Sequence, residues 1–399
     1  MRCEYRKVKL ADLTTTGKGT YGIAASGVEK NDNLYTYLRI TDINDDGTLN
    51  QSDMKSVADD DAAQYLLKPN DIVFARTGGS TGRNYFYDGK DGTFVYAGFL
   101  IKFSIDPLKV NPKYIKYYCQ SDVYKNWVRS FNTGSTRGNI NAQTFGNMEI
   151  PLPPREQQDY LVSVLEPLDE KIAINRAINE NLERQAQAFF QELFVDNADP
   201  EWAIGTINDL GAVVGGSTPS KAKPEYYTET GIAWITPKDL SVNKSKFISH
   251  GENDITELGL KNSSATIMPE GTVLFSSRAP IGYIAVAAGE VATNQGFKSI
   301  VPKPEIGTAF VYYFLKHNLP IIEGMASGST FKEVSGSTMK GVPAVIPDTD
   351  TIARFNDFCS PIFAQQRILE EQNHSLAALR DDLLPKLMSG EVDVSDIQL

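Results

Sequence analysis

The chain has 399 residues, 41% apolar and 22% charged, which suits a soluble protein of two or more domains with real cores. No apolar run approaches the ~20 residues of a membrane helix. The opening Met1-Arg2-Cys3-Glu4-Tyr5-Arg6-Lys7 lacks the apolar core of a signal peptide, and Cys3, Cys119 and Cys359 are too scattered for a disulfide framework or a zinc site, so the expectation is a reducing cytoplasm and no membrane.

A net charge of −11 argues against a nucleic-acid partner only while the chain is taken whole. Residues 1–150 carry +2 and residues 200–347 carry −1, whereas 151–199 and 348–399 carry −6 each. The two near-neutral blocks can bear local basic patches, and the acidic stretches are the parts expected to stay off phosphates.

Residues 1–150 read as a mixed, strand-rich block. Tyr37–Ile43 alternates and is rich in β-formers. Lys68-Pro69-Asn70-Asp71 is a turn ahead of the buried-strand pattern Ile72–Ala75. A glycine-rich polar loop follows, Arg76-Thr77-Gly78-Gly79-Ser80-Thr81-Gly82-Arg83, then a strand at Phe99–Phe103. Helical spacing of Tyr114, Tyr117, Tyr118, Tyr124, Trp127 and Val128 predicts one helix over 113–131, ending at Asn132-Thr133-Gly134.

From Pro151 the pattern changes to a heptad seam. Leu161, Leu168, Asn175, Leu182 and Phe189 are spaced by seven, as are Leu165, Ile172, Asn179, Ala186 and Leu193. Pro167 predicts a break, giving helices near 155–165 and 168–194. Residues 200–347 then repeat the first block. Asp42 aligns with Asp239, Pro69 with Pro269, Gly98-Phe99 with Gly296-Phe297, and Ile140 with Val334, while 309–322 is the matching helix.

The seam returns 194 residues on, with Phe355, Ile362, Leu369, Leu376 and Leu383 in one series and Cys359, Gln366, Asn373, Arg380 and Leu387 in the other. Pro361 again predicts a break, into 350–359 and 362–388, with Gly390 as C-cap. Neither amphipathic helix buries its seam alone, so an antiparallel pair is expected. Asn179 falls on Asn373 in the repeat, either as a buried register pair or at the solvated edge of the seam.

Catalytic constellations do not assemble. Gly17-Lys18 and Gly89-Lys90 lack the spacing of a phosphate-binding loop, no glycine fingerprint opens a βαβ unit, and His250, His317 and His374 have no ligand-spaced partners. The repeated loops suggest contacts to nucleic acid instead. Arg76, Thr77, Ser80, Thr81 and Arg83 form the first, and Ser276-Ser277-Arg278 stands at its counterpart. Ser135, Thr136, Arg137 and Asn139 form the second, matched by Ser329, Thr330 and Lys332. Such loops donate main-chain N–H to phosphate and set Arg against guanine edges. Lys221 follows Gly215-Gly216-Ser217-Thr218-Pro219. From the residues alone a coiled-coil scaffold with two ligand-binding domains, or a fused enzyme with a cofactor pocket, is also open.

Four stretches resemble the specificity subunit of type I restriction-modification enzymes: Ile150-Pro151-Leu152-Pro153-Pro154-Arg155-Glu156-Gln157-Gln158 leading into Leu168-Asp169-Glu170-Lys171-Ile172 and Asn175, Gly215-Gly216-Ser217-Thr218-Pro219-Ser220-Lys221, Trp234-Ile235-Thr236-Pro237-Lys238-Asp239-Leu240, and Leu383-Leu384-Pro385-Lys386-Leu387-Met388-Ser389-Gly390. The resemblance spans essentially the whole chain, although Ile346-Pro347-Asp348-Thr349-Asp350-Thr351 lacks the Pro-Pro-x-Glu-Gln form. It implies an α+β protein in which two mixed α/β target-recognition domains (1–150 and 200–347) are joined and spaced by two long antiparallel coiled-coil helices (151–199 and 348–399), with an internal pseudo-two-fold repeat. It also implies a non-catalytic subunit reading a bipartite site in double-stranded DNA. Two methyltransferase subunits and restriction/translocase subunits would dock on the helices and bring S-adenosylmethionine, ATP and Mg, with none bound by this chain. Lys238 joins the candidate contacts on this ground.

Overall fold

A computed structural model describes residues 5–131, 138–328 and 332–391. Two compact units emerge, Met1–Glu170 with Leu376–Leu399, and Lys171–Ser375.

In the first unit, Thr20–Tyr21, Leu100–Ser104, Asp71–Ala75 and Asn84–Tyr87 form an antiparallel sheet in that order. A second sheet runs Gly27–Val28, Lys55–Val57, Tyr35–Leu38 and Phe94–Tyr96, its last pair parallel. Arg6–Lys9 pairs with Glu149–Leu152, closing the block where it hands the chain to the long helix. The expected strand at Tyr37–Ile43 is shorter, because the chain turns into a 3-10 helix at Ile40–Asp42 whose Asp42 carboxylate accepts the Arg39 main-chain N–H at 2.8 Å. The helix predicted over 113–131 is two helices, Pro112–Tyr118 and Asp122–Arg129, because Ser121 caps the second by accepting the Tyr124 N–H.

The second unit repeats this plan. Tyr227–Thr228, Asn253–Ile255, Ile232–Ile235 and Ala292–Thr293 reproduce the second sheet, again with a parallel last pair. Gly211–Gly215, Lys298–Pro302, Val273–Ser277 and Ile281–Ala287 reproduce the first, with Phe247–Ile248 added at the edge. Ala203–Thr206 pairs with Pro343–Ile346. Asp239 takes the Thr236 N–H at 2.7 Å, as Asp42 takes that of Arg39. The matching helix also divides, into Thr308–His317 and Leu319–Gly324.

Both predicted helix breaks are absent. The first long helix is continuous over Arg155–Gln191 with Pro167 inside it, followed by a π turn at Glu192–Asp196, and the second is continuous over Thr349–Ser389 through Pro361. A mid-helix proline forfeits one hydrogen bond and costs about 3 kcal/mol. Leu161 and Leu165, buried just before Pro167, and Cys359 and Ile362, flanking Pro361, offset that, each fully buried leucine contributing about 1.5–3 kcal/mol. Gly390 ends the second helix at φ +71°, with the Glu391 N–H reaching back to Lys386 O at 3.1 Å, as a C-cap requires.

The seam runs antiparallel within each unit. In the first, Leu161 and Leu165 share a core with Leu384 and Met388, Leu168 and Leu383 pack at its margin, and Asp169 meets Arg380 at 3.0 Å. In the second, Phe189 contacts Phe355 and Phe358, and Ala186 and Ile362 lie in the same core with Leu182 against it. Ile172 and Leu369 are buried and Leu376 is half-buried. The repeat-related Asn179 and Asn373 do not pair with each other. Fully buried Asn175 donates to Asn373 Oδ1 at 3.0 Å and Gln372 Oε1 at 3.3 Å, while Gln366 donates to the Asn179 carbonyl at 3.2 Å. Antiparallel packing sets unlike heptads opposite one another, which repeat alignment cannot express.

Candidate nucleic-acid interface

In the first unit the fold brings the two predicted loops together. Thr81 Oγ1 donates to Gly78 O at 2.8 Å and to Gly138 O at 2.9 Å, Thr77 bridges Asn139, and Ile140 N–H donates to Arg76 O at 2.9 Å. The Arg76 guanidinium lies over the Tyr21 ring at 5.2 Å, and its Nε has no acceptor among the described residues. Asn139 is exposed, but Ser80 is buried and its hydroxyl is not presented to a ligand. Arg83 is held by Asp45 through two contacts of 2.6 and 3.2 Å and by Ile43 O. It is therefore a fastener of its own loop. Ser135, Thr136 and Arg137 lie outside the described residues, as do Ser329 and Thr330.

In the second unit a cleft of about 720 Å³ gathers Lys221, Lys238 and Arg278, three candidates far apart in sequence. Thr218, Asn294 and Gln295 also line it, and of these only Thr218 lies in a stretch that the sequence marks. The signal for the other two was a local one: Asn294-Gln295 follows the strand Ala292–Thr293 and precedes Gly296 in a turn closed by the Phe297 N–H on Asn294 O at 3.2 Å. Lys238 is paired to Glu252 at 2.6 Å, and Arg278 sits 3.6 Å from Glu333, so these cations are balanced yet partly exposed. Ser277 is a correction. It is fully buried, its hydroxyl donating to Gly296 O at 3.1 Å, so it supports the turn rather than standing on the surface. Lys332 is exposed.

Buried ionic clusters fix the two strand-rich blocks to the long helices. Lys246, 8% exposed, pairs with Glu183, donates to Gln366 Oε1 at 2.7 Å and Tyr313 Oη at 3.2 Å, and lies 4.2 Å from the Phe363 ring centroid. Glu183 also accepts from Lys316 Nζ at 2.6 Å and Tyr313 Oη at 2.8 Å. Burial opposes ionisation of Glu183, but Lys246 and Lys316 outweigh it and hold its pKa down at about 2. Burial pushes the Lys246 ammonium below its ordinary range, against the pull of Glu183. Glu370 accepts the main-chain N–H of Lys246 and Phe247 at 2.8 and 3.0 Å, and the chain leaving the short strand Phe247–Ile248 leads to Glu252 and Asn253 of the cleft. In the first unit Asp169 plays the same part, accepting from Lys116 at 2.7 Å, Tyr117 at 3.0 Å and Arg380 at 3.0 Å. Burial raises its pKa, yet Lys116 and Arg380 carry it below the usual carboxylate range.

Among the described residues no cluster of His, Cys, Asp or Glu could hold a metal ion, and no helix is long and apolar enough to cross a membrane. The family model for the type I restriction modification DNA specificity domain matches twice, over residues 3–184 and 200–375. The MjaIX specificity subunit of Methanocaldococcus jannaschii is 39% identical over 191 residues, a match covering 46% of this chain and 44% of that relative. The HindI specificity subunit of Haemophilus influenzae is 22% identical over 407 residues, covering 83% of this chain and 88% of its own. The crystal structure of a type I restriction-modification S subunit from M. genitalium shares the fold, with a TM-score of 0.60 at 16% identity over 97% of this chain and 96% of that one. The chain belongs to the type I restriction modification DNA specificity domain family, with two copies of the domain in tandem.

Proposed function

We propose that this chain is the non-catalytic, sequence-specific DNA-binding subunit of a type I restriction-modification complex, acting in the cytoplasm. Each domain reads one half of a bipartite duplex site. The long helices act as spacer and dock two methyltransferase subunits, with restriction/translocase subunits completing the assembly. S-adenosylmethionine, ATP and Mg belong to those partners. The observation that carries the reading is the cleft of the second domain, lined by Lys221, Lys238 and Arg278 together with exposed Gln295, whose Oε1 accepts from the Thr218 hydroxyl. Cations around the rim suit phosphates, and an amide within suits the N6/N7 edge of adenine in the major groove.

The test is selection of bound duplexes from a random pool by the full chain in complex with its methyltransferase partner. Two fixed half-sites separated by a constant gap are expected. A pool that stays random refutes the function. With the site known, Gln295→Ala should relax one position of one half-site by about 1–3 kcal/mol, whereas Lys221→Ala should weaken all sequences alike and lower the salt slope by about 1.

A further inference from the structure

The two domains correspond hydrogen bond for hydrogen bond around one β-turn. Ala97 N–H donates to Leu38 O at 3.0 Å, and Asn294 N–H to Ile235 O at 3.0 Å. Leu100 N–H closes on Ala97 O at 2.8 Å, and Phe297 N–H on Asn294 O at 3.2 Å. Arg76 N–H donates to Phe99 O at 3.1 Å, and Ser277 N–H to Gly296 O at 2.7 Å. The expected match of Gly98-Phe99 with Gly296-Phe297 is therefore one residue out. Leu100 and Phe297, both fully buried, are the true equivalents, and Phe99 stands where the second domain has Gly296. By the same accounting, Ile23 N–H to Tyr96 O and Ser217 N–H to Thr293 O place Tyr21 opposite Gly215.

The consequence is a difference in surface. Gly296 lines the amide-bearing cleft of the second domain, and the first domain has Phe99 in its place; Tyr21 and Arg76 likewise stand where the second domain has Gly215 and buried Ser277. Phe99 is 58% exposed at the turn tip and Tyr21 is 42% exposed, with the Arg76 guanidinium stacked on the tyrosine. A phenyl ring left in water on a turn whose main chain pairs with that of Arg76, itself stacked on a half-exposed tyrosine, matches a ligand offering flat apolar faces and anionic oxygens together. A base step of a duplex does so.

We propose that Phe99 is a stacking wedge that enters a base step of the first half-site, while Arg76, steadied by Tyr21, takes a phosphate or base edge beside it. The proposal rests on the DNA-reading function above and deepens it: the two domains share one fold but read differently, the first through deformation of the duplex and the second through base edges.

The experiment uses the full chain in complex with its methyltransferase partner and the selected duplex, with 2-aminopurine placed in turn at each position of the first half-site. One position should brighten on binding as its neighbour is unstacked. Phe99→Ala should abolish the rise and weaken binding about tenfold to a hundredfold, the range of aromatic–base stacking, while Phe99→Tyr restores both. Gln295→Ala should leave the rise untouched. A duplex bound by Phe99→Ala as tightly as by the native chain, or an emission pattern the substitution does not change, overturns the wedge and leaves the DNA-reading function standing. A Phe99→Ala chain that reads DNA normally but fails to assemble with its partner reassigns the ring to a protein contact and also overturns it. Failure of the native complex to bind any duplex refutes the DNA reading itself.

Discussion

Glu183→Gln tests how the second reading block is held to the helices. The substitution keeps shape but removes the negative charge opposite Lys246, an ammonium only 8% exposed, and opposite Lys316. Breaking a buried pair by neutralising one partner costs about 3–5 kcal/mol, because the other charge stays buried and uncompensated. Gln366 and the Phe363 ring still face Lys246, which places the expectation towards the lower end. At about 1.4 kcal/mol per decade, amide exchange in Thr308–His317 should quicken by about two to three orders of magnitude when followed by mass spectrometry. Glu183→Gln with Lys246→Met should recover most of the loss, since the pair is then replaced by groups that need no counter-charge. The sign of the pH effect follows from the same cluster. Glu183 titrates near 4.5 when unfolded and at about 2 when folded, so its contribution is complete above the unfolded value and fades as pH falls between the two. The variant's exchange should lose that acid limb. A change of less than fivefold, or a double variant no better than the single, would refute the account of a charge-locked joint.

Asp169→Asn should act likewise on the first unit: the folded carboxyl sits below the usual range, so the native chain's stability advantage over the variant, read from Trp127 fluorescence in denaturant unfolding, should be full at neutral pH and shrink as pH falls through that range. Asn175→Leu with Asn373→Leu removes a buried amide whose Oδ1 has no donor among the described residues, and should raise stability by about 1–3 kcal/mol in denaturant unfolding while loosening helix register; a loss of stability would contradict this. Arg83→Ala should leave DNA affinity within twofold in a binding titration, because Asp45 already holds that guanidinium, whereas Arg76→Ala should weaken the first half-site alone. Adding one heptad to each long helix should lengthen the gap preferred in duplex selection, and an unmoved gap would remove the spacer role.

What the sequence by itself determined is whatever repeats over short range. Sevenfold spacing of Leu161 to Phe189 and of Phe355 to Leu383 marks two helices, alternation and turn residues mark the strands, Asp42 and Asp239 recur as caps, and the offset of about 194 residues reveals a duplicated unit. Each is a local pattern, imposed by the geometry of one element. Only the tertiary structure decided the rest. Pro167 stays inside a helix because side chains distant in sequence bury the flanking turns. Asn373 finds Asn175 because the pair is antiparallel. Ser277 is sealed by a turn 19 residues away, and Lys221, Lys238 and Arg278 converge on one cleft. A single residue of register sets Phe99 on the surface and Phe297 in the core, although both follow a glycine. Burial and partnership are properties of what arrives from elsewhere in the chain, and a one-residue slip in a strand exchanges the face that meets water for the face that does not.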